Sequence, residues 1–312
     1  MGIKLLNKFL SQNYVMKTKT DTRRHLSTLR GKKICVDISI YLHLFKRESE
    51  NWLSQLYRMC VILRHHGINP IFVFDGFERK DDKIKTLEKR REVRHQLFEK
   101  IEYLESKGNI NEEEEKEMKK LKKKVRRPNR DDISKAKELL EACGLPYIQP
   151  QGEADEVCIA LVNKNIVYAC LSNDTDMFAY GCKRIMKNFS LQTHSVDFYN
   201  LDNVVCGLNI NKNDFQILCV LSGTDYNFTD KNIFHFYKQY SKYFKSNNSL
   251  TFLEWLVNTK NITNQVYQEV EKVFEMYNIN NNNSLKQFKF MRIKNRRLNI
   301  DVVNSLLFDD NV

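Results

Sequence analysis

Short runs of consecutive apolar residues alternate along the chain with longer segments of helical periodicity. The runs do not alternate with polar residues, which is typical of strands that are buried on both faces of a parallel sheet. They cover residues 33–40, 70–74, 145–149, 166–171, 184–189 and 195–199. Because helical segments lie between them, the pattern predicts an α/β fold with a mostly parallel central sheet flanked by helices.

Residues 77–130 interrupt this alternation. They contain no strand pattern and hold 19 Lys and Arg against 13 Asp and Glu, so they carry +6 of the net charge of +12. Ser106 and its three successors separate two helical stretches, and Asn111 with Glu114 has the spacing of a capping box. The segment is therefore predicted to be a helical hairpin. A solvated charged hairpin would explain most such charge runs, but residues 119–130 hold eight basic residues and no acid.

Composition narrows the classes of function. The net charge of +12 over 312 residues favours a polyanionic partner. The eight cysteines are scattered without a Cys-x-x-Cys pair, and we expect them to be buried and reduced. There is neither a signal peptide nor an apolar run of about 18 residues. We therefore expect an intracellular protein, nuclear or cytoplasmic, that is neither secreted nor membrane-spanning.

Acidic residues stand at or near the ends of several predicted strands. Because the carboxyl ends of parallel strands converge on one crevice, we expect these side chains to lie close together. Carboxylate oxygens suit Mg²⁺ or Mn²⁺, and two such ions about 3.5–4 Å apart can clamp a phosphate for in-line attack. One Asp-x-Asp pair is more often a cap or a turn, but here five segments supply acids. The candidate ligands are Asp37, Asp75, Glu153, Asp155, Asp174, Asp176 and Asp225.

Six stretches of the sequence resemble, in order, the flap endonuclease/XPG-like structure-specific 5′-nucleases. They are MGIKLL, ICVDISIY, IFVFDG, GLPYIQPQGEADEVCIALV, VYACLSNDTDMFAYG and CVLSGTDY. The resemblance covers roughly residues 1–100 and 130–226. It implies a PIN-like 5′-nuclease fold whose seven matching carboxylates hold two Mg²⁺ ions, for which Mn²⁺ can substitute. In the family the ions activate a water and stabilise the leaving oxygen while a phosphodiester is cut near a junction of single strand and duplex.

Two of the assignments implied by the resemblance have alternatives. Asp155 stands where many relatives have Glu, and Glu156 is the other candidate for that position. Relatives contact the scissile phosphate with a Lys and an Arg seven residues apart, which Lys83 and Arg90 match. Counting directly from Asp75 would instead select Asp82 and Lys89, but an anionic Asp82 is implausible at a phosphate site.

The resemblance also implies contacts with DNA. The basic hairpin matches the helical arch through which relatives thread or clamp a 5′ single strand. Gly2 corresponds to a residue near the family's active site. Tyr41 or His43 corresponds to an aromatic that stacks on a base, although core packing explains Tyr41 equally well. The remaining candidates are Lys119, Lys120, Lys122, Lys123, Lys124, Arg126, Arg127 and Lys231.

The resemblance fails after Gly223. Relatives have a glycine-containing helix-two-turn-helix there, which binds duplex DNA and often K⁺, whereas this chain has no further glycine. A K⁺ site is therefore doubtful. The predicted division is 1–76 and 131–226 for the nuclease core, 77–130 for the gateway and arch, and 227–312 for a helical DNA-binding region.

The expected function is hydrolysis of DNA at 5′ flaps, gaps or nicks, in replication, repair or recombination. The expected partner is branched or gapped DNA with a 5′ single strand, bound by a monomer. We find no sliding-clamp motif, and the Asn-rich run at 278–283 favours a divergent viral or parasite member. Two alternatives remain open: a 5′–3′ exonuclease that acts on RNA, and a non-catalytic scaffold that binds junctions.

Overall fold

A computed structural model describes residues 2–76, 84–108, 110–246, 249–277 and 297–308, with 84–87 described by their backbone alone. Seven strands form one mixed, mostly parallel sheet in the order β1-β7-β6-β5-β2-β3-β4. The strands are β1 Arg23–His25, β2 Lys33–Asp37, β3 Asn69–Val73, β4 Tyr147–Ile148, β5 Ala169–Leu171, β6 Arg184–Ser190 and β7 Ser195–Asn200. The predicted α/β class is confirmed.

Helices occupy most of the remaining described chain. They are α1 Leu6–Leu10, α2 Met16–Thr18, α3 Ile38–Glu48, α4 Trp52–His65, α5 Ile84–Ser106, α6 Glu112–Val125, α7 Arg130–Ala142, α8 Ala154–Asn163, α9 Asp176–Ala179, α10 Leu201–Leu208, α11 Lys212–Leu221, α12 Ile233–Lys245, α13 Phe252–Asn258, α14 Asn264–Met276 and α15 Ile300–Phe308. A π-helical turn, Ser11–Val15, joins α1 to α2. No helix in this part of the chain combines the length and the hydrophobicity that crossing a bilayer requires.

Each of the six predicted apolar runs overlaps a strand and covers it to within one residue of that strand's ends. The central strands β2 and β5 are parallel, with Val36 opposite Leu171, and both are almost wholly buried. The first run was expected to extend to residue 40, but β2 ends at Asp37 and α3 begins at Ile38. Ile38, Tyr41 and Phe45 then recur on one buried helical face, so the apolar residues beyond Asp37 serve a helix.

Strand β1 is missing from the sequence-based prediction. Its residues Arg23, Arg24 and His25 are all exposed, and it pairs antiparallel with β7. A strand with no buried face has no apolar signal, because its place depends only on backbone pairing with a neighbour.

The strand order reverses between β2 and β5. The sheet continues from β2 through β3 to β4 on one side, and from β5 through β6 to β7 on the other. In open α/β sheets, ligands bind at the carboxyl ends of the strands beside such a reversal. Asp174 and Asp176 follow β5 at that edge.

The chain folds into two compact units. The first contains the described residues of Met1–Val36 and Asp155–Met291, and the second those of Asp37–Ala154 and Arg292–Val312. In the first unit, α11 packs against both α9 and α14. In the second unit, α15 packs on α7, and the backbone N–H of Asn299 donates to the carbonyl of Ala142 at 2.7 Å. The four-part division by sequence remains a prediction.

The basic segment forms the predicted helical hairpin. Helix α5 ends at Ser106, and α6 begins after Asn111, which forms the expected reciprocal capping box with Glu114. A small apolar core joins the two helices through Ile101, Leu104 and Leu121. The hairpin therefore has its own packing, and its charged residues lie outside that core.

Seven of the eight cysteines are buried free thiols, as predicted. Cys206 is the exception, because the buried face of α10 is formed by Leu201, Val204 and Leu208, and Cys206 lies off that face.

Candidate functional site

The loop that leaves β5 brings two aspartates together. The backbone N–H of Asp176 donates to Asp174 Oδ1 at 2.9 Å, which closes a tight turn at the start of α9. A second loop, after α11, carries Asp225, whose backbone N–H donates to Asp176 Oδ2 at 3.3 Å. The first unit thus gathers Asp174, Asp176 and Asp225.

Asp176 lies in an unfavourable electrostatic environment. Its side chain is buried, and burial raises its pKa to about 8, with further increases from the nearby charges of Asp174 and Asp225. Hydrogen bonds from Tyr277 and from the Asp225 backbone act in the opposite direction. Asp176 Oδ1 has no hydrogen-bond partner among the described residues.

These residues fit a hard divalent cation. The candidate ligand atoms are all carboxylate oxygens, and Asp176 Oδ1 is a buried polar atom that accepts no hydrogen bond within the described part of the chain. A cation beside it would supply the missing partner and would offset the repulsion among the three carboxylates. That the carboxylates bind metal remains a prediction.

The beginning of the chain lies against the same loop. The backbone N–H of Ile3 donates to Thr175 Oγ1 at 2.7 Å. Gly2 has a φ of +85°, and a Cβ added there would lie 2.2 Å from Thr175 Oγ1 and 2.7 Å from Asp174 Oδ1. Only glycine fits this close approach, and Gly2 thus lies next to the predicted metal ligands.

Sequence reasoning missed two residues beside this cluster. Lys187, on β6, is 2% exposed and donates from Nζ to the carbonyl of Asn173 at 2.8 Å. Burial lowers its pKa to about 8, while Asp174, Asp176 and Asp197 raise it. The sequence does contain a signal for Lys187, because a lysine inside an apolar strand indicates a buried charge that needs a polar partner.

Tyr277 is the other missed residue, and no local signal marks it. It follows α14, and its hydroxyl donates to Asp176 Oδ2 at 3.0 Å across 101 residues of sequence. Only the tertiary fold brings this side chain to the acidic cluster.

The second unit organises Asp75. This exposed residue lies two positions after β3, and its Oδ1 accepts a hydrogen bond from the backbone N–H of Ala154 at 3.1 Å. Its own backbone N–H donates to Ser39 Oγ at 3.4 Å, two residues after Asp37. The carbonyl of Asp75 accepts from Gln149 Nε2 at 3.0 Å. These bonds hold Asp75 against the segments that carry Asp37 and Glu153.

The other predicted acids lie at element ends. Asp37 is 3% exposed and precedes α3, while Glu153 is half-buried and precedes α8. Asp155 and Glu156 both lie in the first turn of α8, where Asp155 is half-buried and Glu156 is buried. The choice between Asp155 and Glu156 stays a prediction.

Basic groups surround His43 in the second unit. Desolvation lowers the pKa of His43, Arg127 lowers it further, and Asp75 acts in the opposite direction. Arg90 lies on α5, and together with Arg94 it depresses the pKa of Arg127, for which partial burial is the larger cause. Arg90 therefore belongs to a positive cluster close to Asp75. Its predicted partner Lys83, and the alternative Asp82, lie outside the described residues.

The hairpin lysines lie along the last part of α6. Lys119 pairs with Glu115 at 2.6 Å, and Lys122 pairs with Glu105 at 2.6 Å. Lys120, Lys123 and Lys124 are exposed and form no ion pair with a described residue. Arg126, directly after α6, pairs with Glu50 at 2.6 Å.

Two other residues that were predicted to contact DNA, Tyr41 and Lys231, have side chains that contact the protein itself. Tyr41 is 1% exposed and packs against Phe45, with ring centroids 5.9 Å apart, so its ring belongs to the core in this structure. Lys231 is half-buried and donates from Nζ to the carbonyl of Asn261 at 3.4 Å.

The loop after Asp225 is stabilised by a side chain. Asn227 is 6% exposed, and its Oδ1 accepts from the backbone N–H of Thr224 at 3.1 Å. Gly223 has a φ of +89°. A buried asparagine therefore organises this turn without further glycines, and the K⁺ site stays doubtful.

Comparison with known proteins bears on both the sequence and the fold. The XPG N-terminal domain matches residues 1–97, and the XPG I-region matches residues 144–225. The chain is 29% identical to flap endonuclease 1 of Plasmodium knowlesi over 267 residues, which are 75% of this chain and 43% of that protein. It is 30% identical to flap endonuclease 1 of Theileria annulata over 243 residues, 72% of this chain and 46% of that protein. The chain thus spans less than half the length of these curated relatives.

Solved structures share the fold. The catalytic core of Rad2 in complex with DNA substrate superposes with a TM-score of 0.70 at 22% identity, covering 99% of this chain and 95% of that one. GEN1 in complex with product DNA and Mg²⁺ gives a TM-score of 0.50 at 17% identity, covering 94% and 63%. With both XPG regions matched in sequence and a fold shared with these nuclease cores, the chain belongs to the XPG family, the family of the flap endonucleases.

Proposed function

We propose that this chain is a divalent-metal-dependent, structure-specific 5′-nuclease that hydrolyses phosphodiesters of branched or gapped DNA beside a 5′ single strand. The chain's family consists of metal-dependent structure-specific nucleases, and relatives are named as flap endonucleases or are solved with DNA. From this family membership we infer both the activity of this chain and its DNA substrate.

The surroundings of Asp176 carry the proposal. A buried carboxylate held beside Asp174 and Asp225, with one oxygen that accepts no hydrogen bond from the described residues, is unfavourable in the protein alone. A site that concentrates negative charge away from water is typical of cation binding.

We assign the metal ligands to seven carboxylates, which are Asp37, Asp75, Glu153, Asp155, Asp174, Asp176 and Asp225. Bound Mg²⁺ or Mn²⁺ would lower the pKa of a water molecule and neutralise charge that develops on the phosphate. The residues of the chain hold that chemistry in place: the Asp225 backbone and Tyr277 orient Asp176, and the Ala154 backbone orients Asp75.

Positive charge on the second unit supports a phosphate-binding role. Arg90 and Arg127 form part of the cluster around His43, and guanidinium groups donate to phosphate oxygens in a fork. The exposed lysines of α6 would neutralise the backbone of the 5′ single strand. We include Lys83 in this role from the resemblance alone.

The experiment is cleavage of a 5′-labelled double-flap DNA in Mg²⁺, mapped on a denaturing gel. We expect a metal-dependent cut near the junction that Asp174→Ala abolishes. Asp202→Ala is the matched control, because it removes an exposed aspartate from the first turn of α10. Cleavage that persists in Asp174→Ala, or that does not require metal, would disprove the proposed site.

An RNA flap of the same sequence tests the substrate. DNA specificity predicts that the RNA flap is cut far more slowly than the DNA flap. Equal rates would show a general 5′-nuclease, and faster cutting of RNA would favour the exonuclease alternative. Junction binding without turnover in either Mg²⁺ or Mn²⁺ would favour the scaffold alternative.

A further inference from the structure

Tyr277 connects the end of α14 to both acid-bearing loops of the first unit. It is 2% exposed, and its hydroxyl donates to Asp176 Oδ2 at 3.0 Å. Thr224, next to Asp225, lies close enough to this hydroxyl to lower the pKa of Tyr277, although burial raises that pKa overall. One buried group therefore contacts the segments of Asp176 and Asp225 at once.

Two further tyrosines fix its position. The ring of Tyr180 meets that of Tyr277 edge to face with centroids 4.2 Å apart, and the ring of Tyr226 does so at 5.4 Å. The hydroxyls of Tyr180 and Tyr226 lie 3.3 Å from each other. Tyr180 follows Asp176 by four residues, and Tyr226 directly follows Asp225. The three rings pack the two loops together.

The two carboxylate oxygens of Asp176 differ in the hydrogen bonds that they accept. Oδ2 accepts from both the Tyr277 hydroxyl and the Asp225 backbone N–H, while Oδ1 has no donor among the described residues. Two donors on one oxygen stop the carboxylate from rotating and stabilise its charged form. No donor in the described part of the chain competes with an added ligand for the other oxygen.

We propose that Tyr277 is a positioning residue that holds Asp176 with Oδ1 directed to the divalent cation, so that the C-terminal helical region completes the metal centre. This inference rests on the proposed metal-dependent function. Tyr277 lies beyond both XPG regions matched in the sequence, which end at residue 225. The metal centre of this chain then depends on a segment outside those two regions.

The test replaces Tyr277 by phenylalanine, which keeps the ring and removes the hydroxyl. Loss of a hydrogen bond to a charged group predicts roughly tenfold or greater weakening of metal affinity. Mn²⁺ binding to the DNA-free protein is followed by the electron paramagnetic resonance of free Mn²⁺. Tyr267→Phe is the matched control, because it makes the same change on α14, in a tyrosine whose pKa is raised by its neighbour Glu271.

A cleavage assay separates positioning from damage to the fold. We expect Tyr277→Phe to need about tenfold more Mg²⁺ for half-maximal cleavage and to approach the wild-type rate when Mg²⁺ saturates. An unchanged Mn²⁺ midpoint in a folded Tyr277→Phe protein would overturn the inference, as would an equal shift in Tyr267→Phe. Wild-type protein that binds Mn²⁺ but cuts no DNA would refute the proposed nuclease while leaving the Mn²⁺ comparison decisive for Tyr277.

If Tyr277→Phe does not fold, the wild-type protein supplies the answer. Three tyrosines lie around Asp176, so Mg²⁺ binding should change the tyrosine band in near-ultraviolet circular dichroism. A metal-bound protein with an unchanged band would contradict the coupling of Tyr277 to the metal.

Discussion

At the scale of single residues, a few atoms beside Asp176 decide what the site can do. Gly2 is in contact distance of the loop that carries Asp174, and its positive φ is a conformation that other residues rarely adopt. Two donors hold one oxygen of Asp176, and no donor among the residues that the structure describes contacts the other. Both features make the geometry of the acidic loop sensitive to single substitutions.

We predict that Gly2→Ala lowers cleavage at least about tenfold, because the new Cβ would displace Thr175 and Asp174. Gly31→Ala is the matched control: Gly31 has a similar φ of +76°, yet no atom lies within 4 Å of its added Cβ. Both variants should share the cost of backbone strain in thermal unfolding, and only Gly2→Ala should lose cleavage. Equal cleavage by the two variants would contradict the steric argument.

The raised pKa of Asp176 also predicts how the stability of the metal-free protein depends on pH. Its pKa is raised from 3.8 to about 8 in the fold, so between these values the folded protein holds a proton that the unfolded chain has released. Stability from this group is full below pH about 4 and is lost as pH rises toward 8, by up to about 1.4 kcal/mol per pH unit.

The measurement is the melting temperature of metal-free protein from about pH 5 to pH 8, which lies inside the window of about pH 4 to 8 that this raised pKa defines. The melting temperature of Asp176→Asn should fall less steeply than that of the wild type across this range, because the amide does not titrate. Asp202→Asn, at an exposed position, should follow the wild-type curve. A parallel fall in all three proteins would show that Asp176 is not the group responsible.

At the scale of elements, α6 separates its charges along the helix. Its first turn holds Glu112 and three further glutamates, and its last turn holds Lys122, Lys123 and Lys124. This order suits the helix dipole, so stability alone explains part of the segregation. The lysines that lack an ion pair with a described residue are the ones that stability explains least.

We predict that replacing Lys120, Lys123 and Lys124 together by glutamine weakens binding of a 5′ single-strand flap and flattens its salt dependence. Each lost phosphate contact should reduce the slope of log K against log salt by about 0.7. Binding is measured by fluorescence anisotropy across a series of salt concentrations.

The control for this experiment neutralises Lys8, Lys17 and Lys19, on and after the N-terminal helices, and removes the same total charge. If both triple variants change the slope of log K against log salt equally, the net charge of the protein controls binding. Contact between the hairpin and the DNA would then not be needed to explain the result. A change confined to the α6 variant would support the arch assignment.

At the scale of the whole molecule, the sheet order places Asp174 and Asp176 at the edge where open α/β sheets bind ligands. Metal binding should then be linked to global stability, because a cation that binds only the folded chain raises its unfolding free energy. We predict that Mg²⁺ at roughly ten times its dissociation constant raises the melting temperature by about 2–4 °C.

This stabilisation should be absent in Asp174→Ala and should persist in Asp202→Ala, as measured by differential scanning calorimetry without DNA. NaCl of matched ionic strength controls for screening of the net charge of +12. An equal rise in NaCl, or in Asp174→Ala, would place the effect outside the acidic loop.

The sequence by itself determined the α/β class, the six apolar strands, the capped basic hairpin and the acids of the β5–α9 loop. These features are local: burial on both faces of a strand leaves an unbroken apolar run, and a capping box needs only two residues three apart. The resemblance in sequence also identified the family before the fold was known. The apolar pattern could not reveal β1, because this strand has no buried face.

Only the tertiary structure decided how the acidic loop is held. Tyr277 reaches Asp176 across 101 residues, Gly2 touches Thr175 from the start of the chain, and Lys187 is buried behind Asn173. None of these contacts leaves a pattern in the sequence, because each joins residues that are at least 14 positions apart along the chain. A sequence reports which residues carry carboxylate oxygens, whereas packing decides which of those oxygens accept hydrogen bonds from distant residues.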